Sequence, residues 1–224
     1  MSEAKQVIAV LGGTGDLGRG LVLRWAQAGY PIIVGSRREE SALKAAAEIN
    51  EQLGLDSVRG MENAAAAAAA EIVTLTVPYA NHATMLEALH EPVQGKIFID
   101  VTVPLMPPKV RTVQLPEGGS AAKAAQVALG EDVRVVSAFQ NVAAAHLQDL
   151  DHAIDCDVLV CGNDPEARDV VAALAEVAGM KAWHAGRIDN SAIAEALTSG
   201  LIFMNGKYKI DGAGIRITGT PGSA

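Results

Sequence analysis

One stretch near the N-terminus limits the fold more than any other. Val7 to Leu11 is a short, continuously apolar run, and Asp16 to Ala28 reads as a helix that ends at Gly29. Between them lies a glycine cluster, LGGTGDLG. A strand that is apolar at every residue has no solvent face, so it belongs in a sheet covered on both sides. Gly13, Gly15 and Gly18 form a G-x-G-x-x-G pattern that leaves this strand and opens the helix. In that setting Gly13 permits the tight turn, Gly15 lets the backbone approach a pyrophosphate, and Gly18 lets helix and strand pack closely. Unpaired N–H groups at the helix start, aided by the helix dipole, then bind the anion. Gly13, Thr14, Gly15, Asp16, Leu17 and Gly18 are therefore expected to hold a dinucleotide, with the Thr14 hydroxyl near phosphate or ribose. The competing reading is a purely structural strand–helix turn.

The rest of the chain repeats this alternation with short connections. Strands are expected at Ile32–Val34, Ser57–Arg59, Ile72–Val77, Lys96–Val101, Val133–Ala138, Val158–Cys161 and Lys181–His184. Helices are expected at Glu39–Leu53, over the Ala64–Ala70 run with Asn63 as its cap, and at Ala80–Glu91, Ser120–Leu129, Pro165–Ala178 and Asn190–Met204. Val103 to Gly119 is a Pro- and Gly-rich loop, and the closing GTPGSA is expected to fray. Alternating strands and helices make an α/β protein, a Rossmann-like doubly wound parallel sheet with a small C-terminal helical part. The expected division is a dinucleotide-binding domain over residues 1–140 and a smaller part, 141–224, packed against it.

Which dinucleotide is bound depends on the end of the second strand. NAD sites usually carry a carboxylate there for the ribose 2′-hydroxyl. This chain has Ser36-Arg37-Arg38 instead. A hydroxyl and two guanidiniums can hold a 2′-phosphate through charge-assisted bonds, so NADP(H) is expected. The alternative is a solvated surface pair. Ligands of such sheets lie beyond the carboxyl ends of the strands, which makes Val77, Pro78, Tyr79 and Val103 candidates for the nicotinamide wall. The prolines can equally be there only to end each strand.

Composition excludes several other classes. With 224 residues, half of them hydrophobic, the chain can bury a large core. A net charge of −8 repels phosphate backbones, and three Phe, three Tyr and two Trp are too few for a base-stacking surface, so no nucleic acid partner is expected. Cys156 and Cys161 read as buried thiols, without metal-ligand spacing. No apolar run reaches the length of a membrane span and no basic leader precedes the first strand, so a cytoplasmic protein is expected. Tyr-x-x-x-Lys is absent, and no lysine lies between Lys123 and Lys181. The five histidines read as surface or helix residues. His146 is the best candidate among them for a general acid–base.

In this order, LGGTGDLGRGLVLRWAQAG, VGSRREE, LTVPY, VVSAFQNVAA, VCGND and DNSAIAEALTSGLI resemble the F420-dependent NADP reductase family. The resemblance implies a homodimer that passes hydride between NADP(H) and C5 of coenzyme F420, a deazaflavin. It implies that Thr14, Ser36, Arg37 and Arg38 hold the adenosine phosphate, that Val77 and Pro78 flank the nicotinamide, and that the late helix borders the deazaflavin. Chemistry would then rest on alignment of two rings. The resemblance departs at Gln140, where archaeal members carry a His. Gln can donate a hydrogen bond to a ring carbonyl but supplies no proton. Lys207, Lys209 and Arg216 either meet the acidic coenzyme tail or face solvent. Two other readings stay open: an NADPH-dependent reductase of an imine, ketone or pterin-like acceptor with His146 as proton donor, and a non-enzymatic NADP(H) sensor.

Overall fold

The computed structural model describes residues 5–220 and Gly222; parts of both ends, including Pro221, Ser223 and Ala224 of the closing GTPGSA, lie outside the described residues. Eight strands build one sheet: β1 (Ile8–Leu11), β2 (Ile32–Ser36), β3 (Val58–Glu62), β4 (Ile72–Leu75), β5 (Ile97–Asp100), β6 (Arg134–Ser137), β7 (Asp157–Gly162) and β8 (Lys181–Gly186). Their order is β3-β2-β1-β4-β5-β6-β7-β8. The chain starts in the middle, moves outward through β2 and β3, then returns to pair β4 with β1. That reversal leaves a crevice at the carboxyl ends of β1 and β4, the place where such sheets receive ligands.

The helices are α1 (Asp16–Gln27), α2 (Glu39–Leu53), α3 (Asn63–Ala69), α4 (His82–Leu89), α5 (Ala121–Leu129), α6 (Ala144–Gln148), α7 (Pro165–Val177) and α8 (Ser191–Tyr208). They cover the sheet on both faces. Leu21, Trp25, Ile49, Val171 and Leu174 belong to one buried cluster, and Ala66, Leu86, Leu89, Ala125 and Leu129 to the other. The central strands β1, β2, β4 and β5 therefore need apolar residues in both directions, which is why their sequences do not alternate, whereas the edge strand β3 does. The alanine run has a packing role, because Ala66 and Ala67 are fully buried where α3 lies against β1 and β2.

The fold differs from several of these expectations. The sheet is not parallel throughout: β7 runs antiparallel to β6, while β8 follows β7 in parallel. The chain re-enters the sheet at the edge where β6 leaves it, after the 138–156 segment has crossed over α1. That segment contains α6, a short helix that sequence reading misses. The cap of α3 is Glu62, whose carboxylate accepts the Ala64 N–H at 2.8 Å, rather than Asn63, which is the first helical residue and buried. The helix expected at Ala80–Glu91 begins as a 3-10 turn, Tyr79–Asn81, and becomes α4 only at His82. Among the described residues no helix is long and apolar enough to cross a membrane.

Arg24 of α1 pins the 138–156 segment in place. Its guanidinium donates to the carbonyls of Leu147 (3.0 Å), His146 (2.9 Å), Asp149 (2.6 Å), His152 (3.1 Å) and Ala178 (3.3 Å). Further along, residues after α8 fold back onto β7. Asp157 N–H donates to Ile215 O at 2.8 Å, and the Asp157 carboxylate accepts from Ile217 N–H and the Trp183 indole.

Candidate active site

The glycine turn is built by close contact. Gly12 carries the left-handed backbone, with φ +78°, and its N–H donates to Gly35 O of β2 at 3.1 Å. A Cβ on Gly18 would lie 2.6 Å from Thr76 Oγ1 and 2.8 Å from Gly12 O, so only glycine lets α1 start this near the sheet. Thr76 itself is tied to β1, its hydroxyl donating to Leu11 O at 2.8 Å. Gly13 is buried, whereas Thr14, Gly15 and Asp16 face solvent; Leu17 packs its side chain into the core and offers only its backbone. Gly15 precedes the first turn of α1, and no side chain caps that turn. The N–H groups of Asp16, Leu17 and Gly18 have no partner within the helix. They are free to face an anion.

Beside this turn, Thr14, Ser36, Arg37, Arg38 and Ser41 line a concavity of about 390 Å³. Ser36 closes β2, while Arg37 and Arg38 are exposed and form no ion pair among the described residues. Ser41 escaped the sequence reading. It stands in the first turn of α2, where a serine reads as routine helix surface. Glu39 and Glu40 also occupy that turn but do not line the concavity. Residues from two βα connections thus converge on one spot that offers hydroxyls, guanidiniums and backbone N–H groups, and no carboxylate.

At the carboxyl ends of β4 and β5 stand Val77, partly buried against the core, the exposed Pro78, and the partly buried Val103. Tyr79 turns away from the phosphate concavity and lines a separate apolar cavity of about 620 Å³ with His82, Leu86, Leu105, Met106 and Ala124.

His82 departs from the sequence reading. It is no surface residue: only 3% exposed, it holds Asp100 by Nε2···Oδ2 at 2.7 Å. Asp100 is the one charged residue of β5 and is completely buried. A second buried carboxylate, Glu195 of α8, accepts the N–H groups of Ala121 (2.7 Å) and Ala122 (3.1 Å) and so caps α5 from across the fold. Burial pushes the Glu195 carboxyl up to about 7, against the pull of those two N–H groups. For His82, burial works against the charged imidazole, but the bond and charge of Asp100 and the charge of Glu195 outweigh it and raise the pKa. The available signal for Asp100 and Glu195 was a single acid inside an otherwise apolar element.

Gln140 sits next to this cluster. Its amide donates to Asp100 O at 2.8 Å and to Ser137 Oγ at 3.0 Å, while its Oε1 is buried without a partner. Both donor positions therefore point into the protein, and donation to a ring carbonyl would break one of these bonds. The Gln140 carbonyl accepts from Thr198 Oγ1 of α8 at 2.9 Å. His146 is placed elsewhere. It stacks on His152 with centroids 4.1 Å apart, in a concavity with Asp155, Asp211 and Gly212 that shares no residue with the two described above. Arg216 pairs with Asp155 at 3.4 Å, and Lys207 and Lys209 are exposed.

Comparison with known proteins agrees with this architecture. Residues 7–104 match the family model described as NADP oxidoreductase, coenzyme F420-dependent. An F420-dependent NADP reductase of Methanocaldococcus jannaschii is 46% identical over 94% of this chain and 97% of its own length. That of Methanothermobacter thermautotrophicus is 42% identical over 96% and 95%. A crystal structure of a candidate F420-dependent NADP reductase from an Arthrobacter species superposes with a TM-score of 0.79 at 29% identity, covering 94% of this chain and 98% of the other. With identity above two-fifths across nearly the full length of the archaeal enzymes, and the same fold, the chain belongs to the F420-dependent NADP reductase family.

Proposed function

We infer that this protein is an oxidoreductase that moves a hydride between NADP(H) and coenzyme F420. The observation that carries the nucleotide half is the carboxylate-free concavity of Thr14, Ser36, Arg37, Arg38 and Ser41 beside the uncapped start of α1. The residues present fit the group: the N–H groups of Asp16, Leu17 and Gly18 and the α1 dipole take the pyrophosphate, and Arg37 and Arg38 take the 2′-phosphate with the two serines. Val77, Pro78 and Val103, just beyond the carboxyl ends of β4 and β5, would wall the nicotinamide. Kinship with the archaeal reductases supports F420 as the partner.

In this reading residues 1–140 hold the dinucleotide and residues 141–224 complete the acceptor side. Within the protein, catalysis would be chiefly placement: the chain would hold the nicotinamide and the deazaflavin together in the crevice and exclude water, and the two rings would supply the hydride chemistry. Gln140 keeps the ends of β5, β6 and α8 in register and is a positioning residue. Exposed apolar side chains on α8, Ile193, Phe203 and Tyr208, support a homodimer formed through that helix, and the protein is read as cytoplasmic.

Mixing protein, NADPH and oxidised F420 without oxygen should bleach the visible deazaflavin absorbance. Absence of bleaching at micromolar protein would remove the assignment. Arg37→Asp replaces a charge-assisted bond by repulsion, a change of about 3 kcal/mol or more. NADPH affinity should fall roughly a hundredfold while NADH affinity stays within threefold. Equal losses for both would place the 2′-phosphate elsewhere.

A further inference from the structure

His82 of α4 and Asp100 of β5 meet inside the protein at the carboxyl edge of the sheet, and Glu195 of α8 lies near enough for its charge to act on both. Their exposures are 3%, 0% and 1%. Buried ionisable groups are costly unless partnered, and these are partnered: His82 to Asp100 at 2.7 Å, Asp100 Oδ1 to Thr102 N–H at 2.9 Å, and both Glu195 oxygens to the start of α5. Two carboxylates and one imidazolium carry one net negative charge, and one more proton makes the trio neutral. Glu195 titrates at about 7, so the number of protons held changes near neutrality. The groups facing the trio from neighbouring elements include the buried thiol of Cys161 on β7, which feels the charge of Glu195. The Tyr79 ring stacks on His82 with centroids 6.1 Å apart, Glu87 lines the same cavity, and Lys123 of α5 is engaged at the surface by Asp189 at 2.7 Å.

The nicotinamide ring is positively charged when oxidised and uncharged when reduced. A positive ring against the ends of β4 and β5 acts on buried charges through a medium of low dielectric, where such effects are large. It favours the ionised trio, and its disappearance favours proton uptake. We propose that His82, Asp100 and Glu195 form a proton store coupled to the nicotinamide, holding more protons, up to one, with NADPH bound than with NADP+ bound. The stoichiometry of the reaction agrees. When the C5–H bond of the reduced deazaflavin breaks with its electron pair and the nicotinamide C4–H bond forms, the deazaflavin also loses a ring N–H proton. Uptake by the trio would offset that released proton, and its release would supply one in the reverse direction. This rests on the placement of the nicotinamide proposed above.

The test is the affinity of the full chain for NADP+ and for NADPH at pH 6, 7 and 8. The ratio of the two removes the titration of the 2′-phosphate, which both ligands carry. In the wild type Kd(NADPH)/Kd(NADP+) should rise at least fivefold from pH 6 to pH 8, and no more than tenfold per pH unit. Calorimetry in buffers of different ionisation enthalpy should count more proton uptake for NADPH than for NADP+, a readout that needs no variant. Glu195→Gln and His82→Gln should flatten the ratio. A flat wild-type ratio with both ligands bound, or a slope that survives in both variants, overturns the proton store alone. A chain that binds neither dinucleotide overturns the nucleotide site, and this proposal with it.

Discussion

Replacing Arg24 by Met should cost the protein about 3–4 kcal/mol. Met keeps an unbranched apolar stem and removes only the guanidinium. That group donates to five carbonyls, of which those of Leu147, His146 and Ala178 are in part-buried bonds and those of Asp149 and His152 in exposed ones. A hydrogen bond to a charged group nets about 1.5–3 kcal/mol, and a buried carbonyl left without its donor costs more than an exposed one that turns to water. Counting the three part-buried bonds at the lower value gives about 4.5 kcal/mol, and returning the desolvation of the guanidinium, which burial already disfavours, brings this to about 3–4 kcal/mol. Urea melts at pH 7 should show the midpoint falling by more than 1 M with the slope unchanged, for a slope of about 2–3 kcal/mol/M. A loss below about 1 kcal/mol would mean that the 138–156 segment is held by its apolar contacts, such as Leu147 against Gly20, and not by the clasp.

Glu195 ordinarily would titrate near 4.5 and here does so at about 7. The folded state therefore keeps a proton that the unfolded chain loses, and stability from this group falls by about 3 kcal/mol as pH rises from 4.5 to 7. His82, whose pKa is raised, acts in the same direction: its contribution is complete below 6.5 and is lost as pH passes its folded value. Glu195→Gln should flatten the slope of stability between pH 5 and 7.5 in urea melts, and an unchanged slope would contradict the assignment. Gly18→Ala places a methyl 2.6 Å from Thr76 Oγ1 and 2.8 Å from Gly13 Cα, which should destabilise by about 1–3 kcal/mol. It should also weaken NADPH binding at least tenfold by displacing the start of α1; wild-type affinity measured by fluorescence titration would show that the turn tolerates the shift.

Local signals in the chain located the helices and strands well where they were strong. Glu39–Leu53 matches α2 residue for residue, with Gly54 in the left-handed region at its end. Direction was invisible, because the apolar run of β7 reads identically whether the strand is parallel or antiparallel. Alpha6 was missed because its five residues follow no apolar period. On the site side, Thr14 and Ser36-Arg37-Arg38 converge as their order suggested, since the glycine turn and the end of β2 are neighbours in any sheet of this topology. The His82–Asp100–Glu195 cluster could not be read in advance. Its members lie up to 113 residues apart, and only tertiary packing brings them together. His146 looked the better acid–base because the fold that carries it away from the crevice depends on the clasp of Arg24.

Direct hydride transfer fixes where the hydrogen at C5 of the reduced deazaflavin comes from. NADPH carrying deuterium at the transferable C4 position, mixed with oxidised F420 and the protein in ordinary water, should yield reduced deazaflavin labelled at C5. Label lost to solvent, or no reduction while a small imine or ketone is reduced instead, would contradict it.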